Sequence, residues 1–184
     1  MIILAMDPSG SYKYGSGTTG WCVVTSSGMI LLTGNIKAKN YKTKAEYVKA
    51  HDELFNEINP QVLVIENFIL YQGTASTLYN QELETSELIG YICGKAEDRK
   101  IKVVRQNAQL IKTALYKPNI FLNIVNQNFN QLTLKKTKID RQQWIFEDKR
   151  ISNHMVDSIR HAFYYITREN QKEKENGNFN QRRC

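Results

Sequence analysis

Two short apolar runs, each closed by an acid, constrain the fold of this sequence more than any other feature. The first run ends at Asp7, and the second, residues 62–65, is followed by Glu66. Because neither run alternates with polar residues, each is typical of a strand buried on both faces of a sheet. Both acids are therefore predicted to lie where a central strand ends, and α/β sheets build their sites at such edges. The simpler alternative is that Asp7 and Pro8 only begin a turn.

The segments between the two runs predict how the strands are arranged. A Gly- and Ser-rich loop, residues 9–20, precedes apolar runs at 21–25 and 29–36, so the first three strands are expected to be antiparallel. Residues 41–58 have helical spacing, and Pro60 is expected to end this helix. Its predicted buried face consists of Ala45, Val48, Phe55 and Ile58.

A right-handed crossover through this helix would place the strand of Glu66 parallel to the strand of Asp7. The two carboxylates would then lie side by side. Like charges at that distance repel and are costly to bury, so the pair predicts a bound cation.

The next elements are a helix over residues 85–98 and a short strand at 101–104. Gly90 and Gly94, four residues apart on that helix, would let the sheet or a second subunit pack closely. A further helix is expected to open at Asn107, whereas the Asn- and Gln-rich residues that follow have no regular apolar spacing. The residues expected on the buried side of the 85–98 helix are Leu88, Ile89, Ile92, Cys93 and Ala96.

A last helix is predicted over residues 151–166, with Ser152 or Asn153 as its N-cap. His154 and Asp157 are three residues apart, so both lie on one side of the first turn and can converge on one ion. The alternative is that Asp157 is a favourable anion at a helix N-terminus and His154 a surface residue. His161, one turn after Asp157, is expected to point elsewhere. The predicted apolar face comprises Met155, Ile159, Ala162, Phe163 and Ile166.

Composition narrows the possible partners. The 184 residues, 41% of them hydrophobic, suit a single domain over residues 1–168 with a polar, disordered tail at 169–184. A net charge of +7 favours a polyanionic partner such as nucleic acid. Three cysteines without a C-x-x-C pair argue against a disulfide framework or a zinc ribbon. No apolar run is long enough to span a membrane, so a soluble cytoplasmic protein without a membrane partner is expected.

Some aromatic and basic residues are candidates for DNA contacts, because aromatic rings stack on bases and cations bind phosphate. Incidental exposure, core packing and a solvated basic face are the alternatives. Lys149 and Arg150, with Trp144 and Phe146, extend the basic group near the C-terminal helix. The candidates are Tyr12, Lys13, Tyr14, Phe68, Tyr71, Lys135, Lys136, Lys138 and Arg141.

Four motifs in this order resemble the RuvC family of Holliday-junction resolvases, which belong to the ribonuclease-H-like superfamily. They are Asp7-Pro8 after an apolar strand, Thr19-Gly20-Trp21, Ile65-Glu66 and His154-x-x-Asp157. The resemblance implies an α/β fold with a five-stranded mixed sheet, its first three strands antiparallel, flanked by helices. The segment from Arg105 to Lys112 is similar to a Gln- and Lys-containing segment of the family, which adds Lys112 to the DNA-contact candidates.

The chain departs from the family pattern in two places. The loop after Asp7 is longer and has Ser9-Gly10 where Pro-Gly is typical, and residues 116–149 match poorly. Such divergence looks like the bacteriophage branch of the family. The resemblance therefore predicts neither the DNA contacts of the loop nor a cleavage sequence preference.

By the resemblance, Asp7, Glu66 and Asp157 are acidic ligands of two Mg²⁺ or Mn²⁺ ions, and His154 is a ligand or a proton donor. The implied activity is paired cleavage of a four-way DNA junction by a homodimer, leaving 5′-phosphate and 3′-hydroxyl ends. The alternatives are a less selective branched-DNA or flap endonuclease and a non-catalytic junction-binding module. An actin-like ATPase would need two such lobes, and this chain has length for one.

Overall fold

The computed structural model describes residues 1–13, 15–67, 79–115, 117–127, 130–136 and 142–181. Its strands are β1 (Ile2–Asp7), β2 (Thr18–Thr25), β3 (Ile30–Lys37), β4 (Val62–Asn67), β5 (Lys102–Asn107), β6 (Leu132–Lys136), β7 (Gln142–Phe146) and β8 (Lys149–Arg150). Its α-helices are α1 (Lys44–Ile58), α2 (Tyr79–Asp98), α3 (Ala108–Leu115), α4 (Pro118–Asn126) and α5 (Asn153–Gln181).

The main sheet has the strand order β3-β2-β1-β4-β5. Strand β2 is antiparallel to both β1 and β3. Strand β4 runs parallel to β1, and β5 runs parallel to β4. This arrangement confirms the predicted five-stranded mixed sheet. Strand β1 is central and its residues Ile3 to Met6 have no exposed surface, as the unbroken apolar run predicts.

Helices cover both faces of the sheet. One face packs on α5 together with α3, α4 and strands β6 to β8, and the other packs on α1 and α2. The buried face of α5 is the predicted one, and the same holds for α2.

The predicted face of α1 is wrong at Ala45, which is exposed. Phe55 is buried, and Val48 and Ile58 are half-buried against the core, whereas Tyr47 and His51, which were not predicted, are almost fully buried. Apolar spacing does not identify Tyr47 and His51 as buried, because both side chains carry polar atoms. These atoms are hydrogen-bonded inside the protein, which allows them to be buried.

Three regions differ from the sequence-based expectation in extent. Strand β5 continues to Asn107, because parallel pairing with β4 extends through Gln106 beyond the apolar run. The segment without apolar periodicity contains α4 and a small antiparallel sheet of order β6-β7-β8. Helix α5 continues to Gln181, whereas the helical pattern predicted a helix over residues 151–166. Within the described residues, no helix combines the length and the apolar character required to span a bilayer.

Candidate functional site

The two strand-end acids lie next to each other at one edge of the main sheet. Met6 pairs with Ile65 in the parallel register of β1 and β4, so Asp7 and Glu66 are the next residue on each strand. On the outer side, Glu66 pairs with Gln106 of β5. The structure therefore brings together the two carboxylates that the apolar runs single out.

Asp7 is buried, with 8% of its surface exposed. Burial, opposed by a hydrogen bond with His154 and assisted by the neighbouring charge of Glu66, raises the pKa of this carboxyl to about 6. A carboxylate in this environment gains from a nearby cation, because its charge is poorly solvated and faces a second negative charge.

The first turn of α5 lies directly on the edge beside Asp7. Gly20 of β2 pairs with Asp7, and a Cβ at Gly20 would collide with the backbone of His154 and Met155. Only a glycine permits this approach of helix and strand. The hydroxyl of Ser152 accepts a hydrogen bond from the Met155 amide at 3.2 Å, so Ser152 is the N-cap of α5.

This approach puts His154 against the first acid. Its Nδ1 lies 2.7 Å from Oδ2 of Asp7. The contact with Asp7 raises the pKa of His154, assisted by the charges of Asp157 and Glu66 and opposed by burial. The imidazole and all three acids therefore influence one another electrostatically, as expected for residues of one site.

The second acid, Glu66, contacts His161, although the sequence predicted that His161 points away from the site. That expectation is wrong: Nε2 of His161 lies 3.3 Å from Oε2 of Glu66, and its Nδ1 lies 2.9 Å from Oε1 of Gln106. His161 follows His154 by seven residues, close to two helical turns, so both rings lie on the same face of α5. The seven-residue spacing of the two histidines in the sequence already indicates this arrangement. Gln106 was missed because the predicted strand ended at Val104.

The third acid, Asp157, forms an ion pair with Arg160, whose Nη1 lies 2.6 Å from Oδ1 of Asp157. The guanidinium also lies 5.0 Å from the ring centre of Phe121 in α4 and 5.6 Å from that of Trp144 in β7. Phe121 and Trp144 thus hold the guanidinium of Arg160 where it pairs with Asp157. Both belong to the segment in which the sequence shows no regular apolar spacing. Only an i,i+3 spacing in the sequence indicates this ion pair.

Each acid is therefore held by one basic side chain from a single helix, α5. The donor set of three carboxylates and an imidazole fits Mg²⁺ or Mn²⁺ chemically, and the buried negative charge at Asp7 favours a cation. In the present arrangement, however, no three His, Cys, Asp or Glu side chains of the described ranges are grouped as ligands of one ion. Joint binding of one ion by these residues would require some of their side chains to rearrange.

A buried polar network holds the loop that follows Asp7. The ring of His51 bridges the Tyr47 carbonyl and the Thr19 hydroxyl, both at 2.8 Å, and the Tyr47 hydroxyl donates to the Ser9 carbonyl. Burial lowers the pKa of His51 to about 4, so this imidazole is neutral at pH 7. The network fixes the start of the loop beside the acidic edge.

The candidate DNA-contact residues do not form one cluster in the described part of the chain. Tyr12 is half-buried and stacks on Tyr47 with ring centres 5.9 Å apart, whereas Lys13 and Lys135 are exposed. Lys112 lies in α3 and Lys136 ends β6. Tyr14, Phe68, Tyr71, Lys138 and Arg141 lie outside the described residues.

The strand order and the flanking helices form an α/β fold of the ribonuclease-H-like type, and comparison with solved structures identifies similar folds. Two structures of Thermus thermophilus RuvC, one in complex with a Holliday junction substrate, match with a TM-score of 0.60 and 15% identity. Each match covers 90% of this chain, and 94% and 95% of the two RuvC chains. The fowlpox virus Holliday junction resolvase matches with a TM-score of 0.46 and 18% identity, covering 91% of this chain and 99% of that one. No family model and no curated protein matches the sequence.

The two RuvC matches show that this chain has the RuvC fold, which confirms the predicted fold class. They extend over nine-tenths of the chain. A likeness at 15% identity concerns the course of the backbone. The activity must therefore be argued from the side chains at the acidic edge.

Proposed function

We propose that this protein is a metal-dependent endonuclease that resolves Holliday junctions or related branched DNA. One observation carries the proposal: Asp7, Glu66, His154 and Asp157 come from three separate elements and gather at one edge of a RuvC-type sheet. The net charge of +7 supports a polyanionic substrate. The expected products are paired nicks with 5′-phosphate and 3′-hydroxyl ends.

Asp7 is the proposed central ligand, because it is the most buried of the three acids and lies between His154 and Glu66. Glu66 and Asp157 would be ligands at either side of it. Two divalent ions held by these residues would activate the attacking water and stabilise the leaving 3′-oxygen. No protein nucleophile is required.

His154 is the proposed group that faces the substrate. Its side chain is 43% exposed, whereas that of Asp7 beside it is 11% exposed. An imidazole in contact with both a carboxylate and solvent can serve as a metal ligand or can donate a proton to the leaving oxygen. Both roles need the contact with Asp7, which orients the ring.

We propose a homodimer, because a four-way junction has two symmetry-related strands to cut. Helix α2 offers a surface for it. Apart from the adjoining residues and backbone of α2 itself, no atom of the described residues lies within 4 Å of the place where a Cβ of Gly90 or Gly94 would stand, and the sheet contacts the other side of α2. Sedimentation of the wild type and of Gly90→Trp tests this interface, and a dimer unaffected by the substitution would contradict it.

The function is tested with three synthetic substrates: a four-way junction, a linear duplex and a flap. Wild type and Asp7→Asn are incubated with each in Mg²⁺, Mn²⁺ or EDTA. We expect symmetrical nicks in the junction alone, with both metals, and none with EDTA or with Asp7→Asn.

Other outcomes would replace the proposal in specific ways. Equal cutting of all three substrates by the wild type would indicate a less selective branched-DNA nuclease. Junction binding without cleavage in either metal would indicate a non-catalytic binding protein. Cleavage in EDTA would contradict the metal-dependent mechanism.

A further inference from the structure

A polar cleft lies beside the acidic edge, between β3 and the small sheet. Its volume is about 410 Å³. One wall carries Lys37 at the end of β3, the other carries Arg150 of β8, and the amides of Gln143 and Asn153 also line it. No acidic side chain of the described residues lines the cleft.

The charged groups of Lys37 and Arg150 have no partner among the described residues. Lys37 is half-buried and Arg150 is exposed, and neither side chain forms a hydrogen bond or ion pair with a described residue. Other basic residues near the site are engaged, as Arg160 is with Asp157. Two unpaired cations facing one polar cleft, with amide donors between them, suit a chain of phosphates.

The strand register relates the cleft to the acids. Asp7 pairs with Gly20, and Gly20 pairs with Asn35, so these three residues lie in one row across β1, β2 and β3. Neighbouring strands are about 4.8 Å apart, which puts Asn35 about 10 Å from Asp7. Asn35 lines the cleft, and its Oδ1 accepts a hydrogen bond from Ser152 at 2.7 Å. The first turn of α5 therefore connects cleft and acids.

We propose that this cleft binds the sugar–phosphate backbone of the strand being cut, within a few nucleotides of the scissile phosphate. The proposal rests on the nuclease function proposed above. The distance of about 10 Å between Asp7 and Asn35 is short on the scale of a DNA strand, so the phosphate bound in the cleft lies close to the scissile one. The contact is with backbone and not bases, because Trp144, the one aromatic residue among the described residues that line the cleft, is 8% exposed and offers no face for stacking.

The first test measures the salt dependence of junction binding without metal, so that no cleavage occurs. The variants are Lys37→Gln, Arg150→Gln and their combination. Each phosphate contact contributes about 0.9 to the slope of log affinity against log salt, so the double variant should lose about 1.8. Lys37→Arg keeps the charge and should keep the slope.

The matched control is Lys100→Gln. Lys100 is exposed in the turn that leads into β5, at the end of the sheet opposite the acids, and it also carries one positive charge. Its slope should equal that of the wild type. An equal loss of slope in Lys100→Gln and in Lys37→Gln would mean that only total charge matters, and would overturn the proposal.

The second test locates the phosphate. Junctions with a single neutral methylphosphonate, placed one to six nucleotides on either side of the branch point, are compared for wild type and double variant. We expect the wild type to lose affinity at one or two of these positions, and the double variant to be insensitive there. Identical position profiles for the two proteins would overturn the proposal.

These binding results are separable from the nuclease function. Wild-type cleavage with identical profiles would reject the cleft and leave the nuclease intact. A position-specific difference in a protein that cuts no substrate would keep the cleft as a backbone site and reject the nuclease. Thermal unfolding of each variant identifies any loss of affinity that comes from a loss of fold.

Discussion

The two carboxylate–histidine pairs at the acidic edge differ in how far water reaches them. In the first pair, the His154 side chain is 43% exposed beside a buried Asp7. In the second, the His161 side chain is 2% exposed beside a Glu66 that is 25% exposed, and it also contacts Gln106. Both histidines lie on one face of α5, two helical turns apart, and they differ in how deeply the side chain is buried. Under the proposed function, the first pair would contact the substrate, whereas the second would keep the Glu66 side chain in place.

The largest expected effect is on the cleavage rate, when the acid of either pair is replaced. Asp7→Asn and Glu66→Gln should each lower the cleavage rate by about 10³-fold or more, which is about 4 kcal/mol of lost transition-state stabilisation. Single-turnover kinetics on a junction measure this. Asp7→Asn should also raise the melting temperature without metal, because it removes a buried charge. A variant that cuts within tenfold of the wild-type rate would contradict the role of its acid.

The next effect concerns the buried histidine. His161→Ala should lower the free energy of unfolding by about 3 kcal/mol, because it leaves a cavity and removes the donor beside buried Gln106. Urea unfolding measures this change. The control His161→Gln keeps a hydrogen-bonding amide and should recover part of the loss. Equal losses in the two variants would show that ring packing, and not the contacts to Gln106 and Glu66, determines the stability.

A third histidine, His51, gives a reference for a buried imidazole without a carboxylate partner. Its pKa is lowered from 6.5 to about 4, so the unfolded chain binds more protons than the folded protein between these values. Stability should therefore fall as the pH falls, by about 2 kcal/mol between pH 7 and pH 5 from this residue. Urea unfolding of wild type and His51→Gln at both pH values measures it. A difference between the two proteins that does not change with pH would contradict the prediction.

The smallest effect on stability is expected at the exposed histidine. His154→Ala should change the free energy of unfolding by less than about 1 kcal/mol, because a partly exposed ion pair is screened by water. Its junction cleavage should nevertheless fall, which separates a role in chemistry from one in folding. A loss of stability as large as that of His161→Ala would remove the contrast between the two pairs.

The sequence predicts most of the acidic edge because the constraints are local. Unbroken apolar runs identify β1 and β4, and each acid follows its run directly, so parallel pairing brings Asp7 and Glu66 together. His154 and Asp157 are linked by one helical turn. Their approach to Asp7 depends on a contact between α5 and Gly20, which the sequence did not predict; only the family resemblance assigned them to the site of Asp7.

Other parts could not be predicted because their signals are polar or non-local. Gln106 lies in β5 through pairing with β4 and not through its own β propensity. Tyr47 and His51 are buried because their polar atoms find partners in the folded chain, and apolar spacing does not register such residues. Arg160 is held by Phe121 and Trp144, which belong to a segment without periodicity.

Gly20 has a consequence for how this protein tolerates change. A single methyl group there would press on the helix backbone beside it, although it would alter neither charge nor polarity. Displacement of α5 would move His154 from Asp7 and His161 from Glu66 at once. Catalytic competence would thus depend on the smallest side chain in the sheet as much as on the acids themselves.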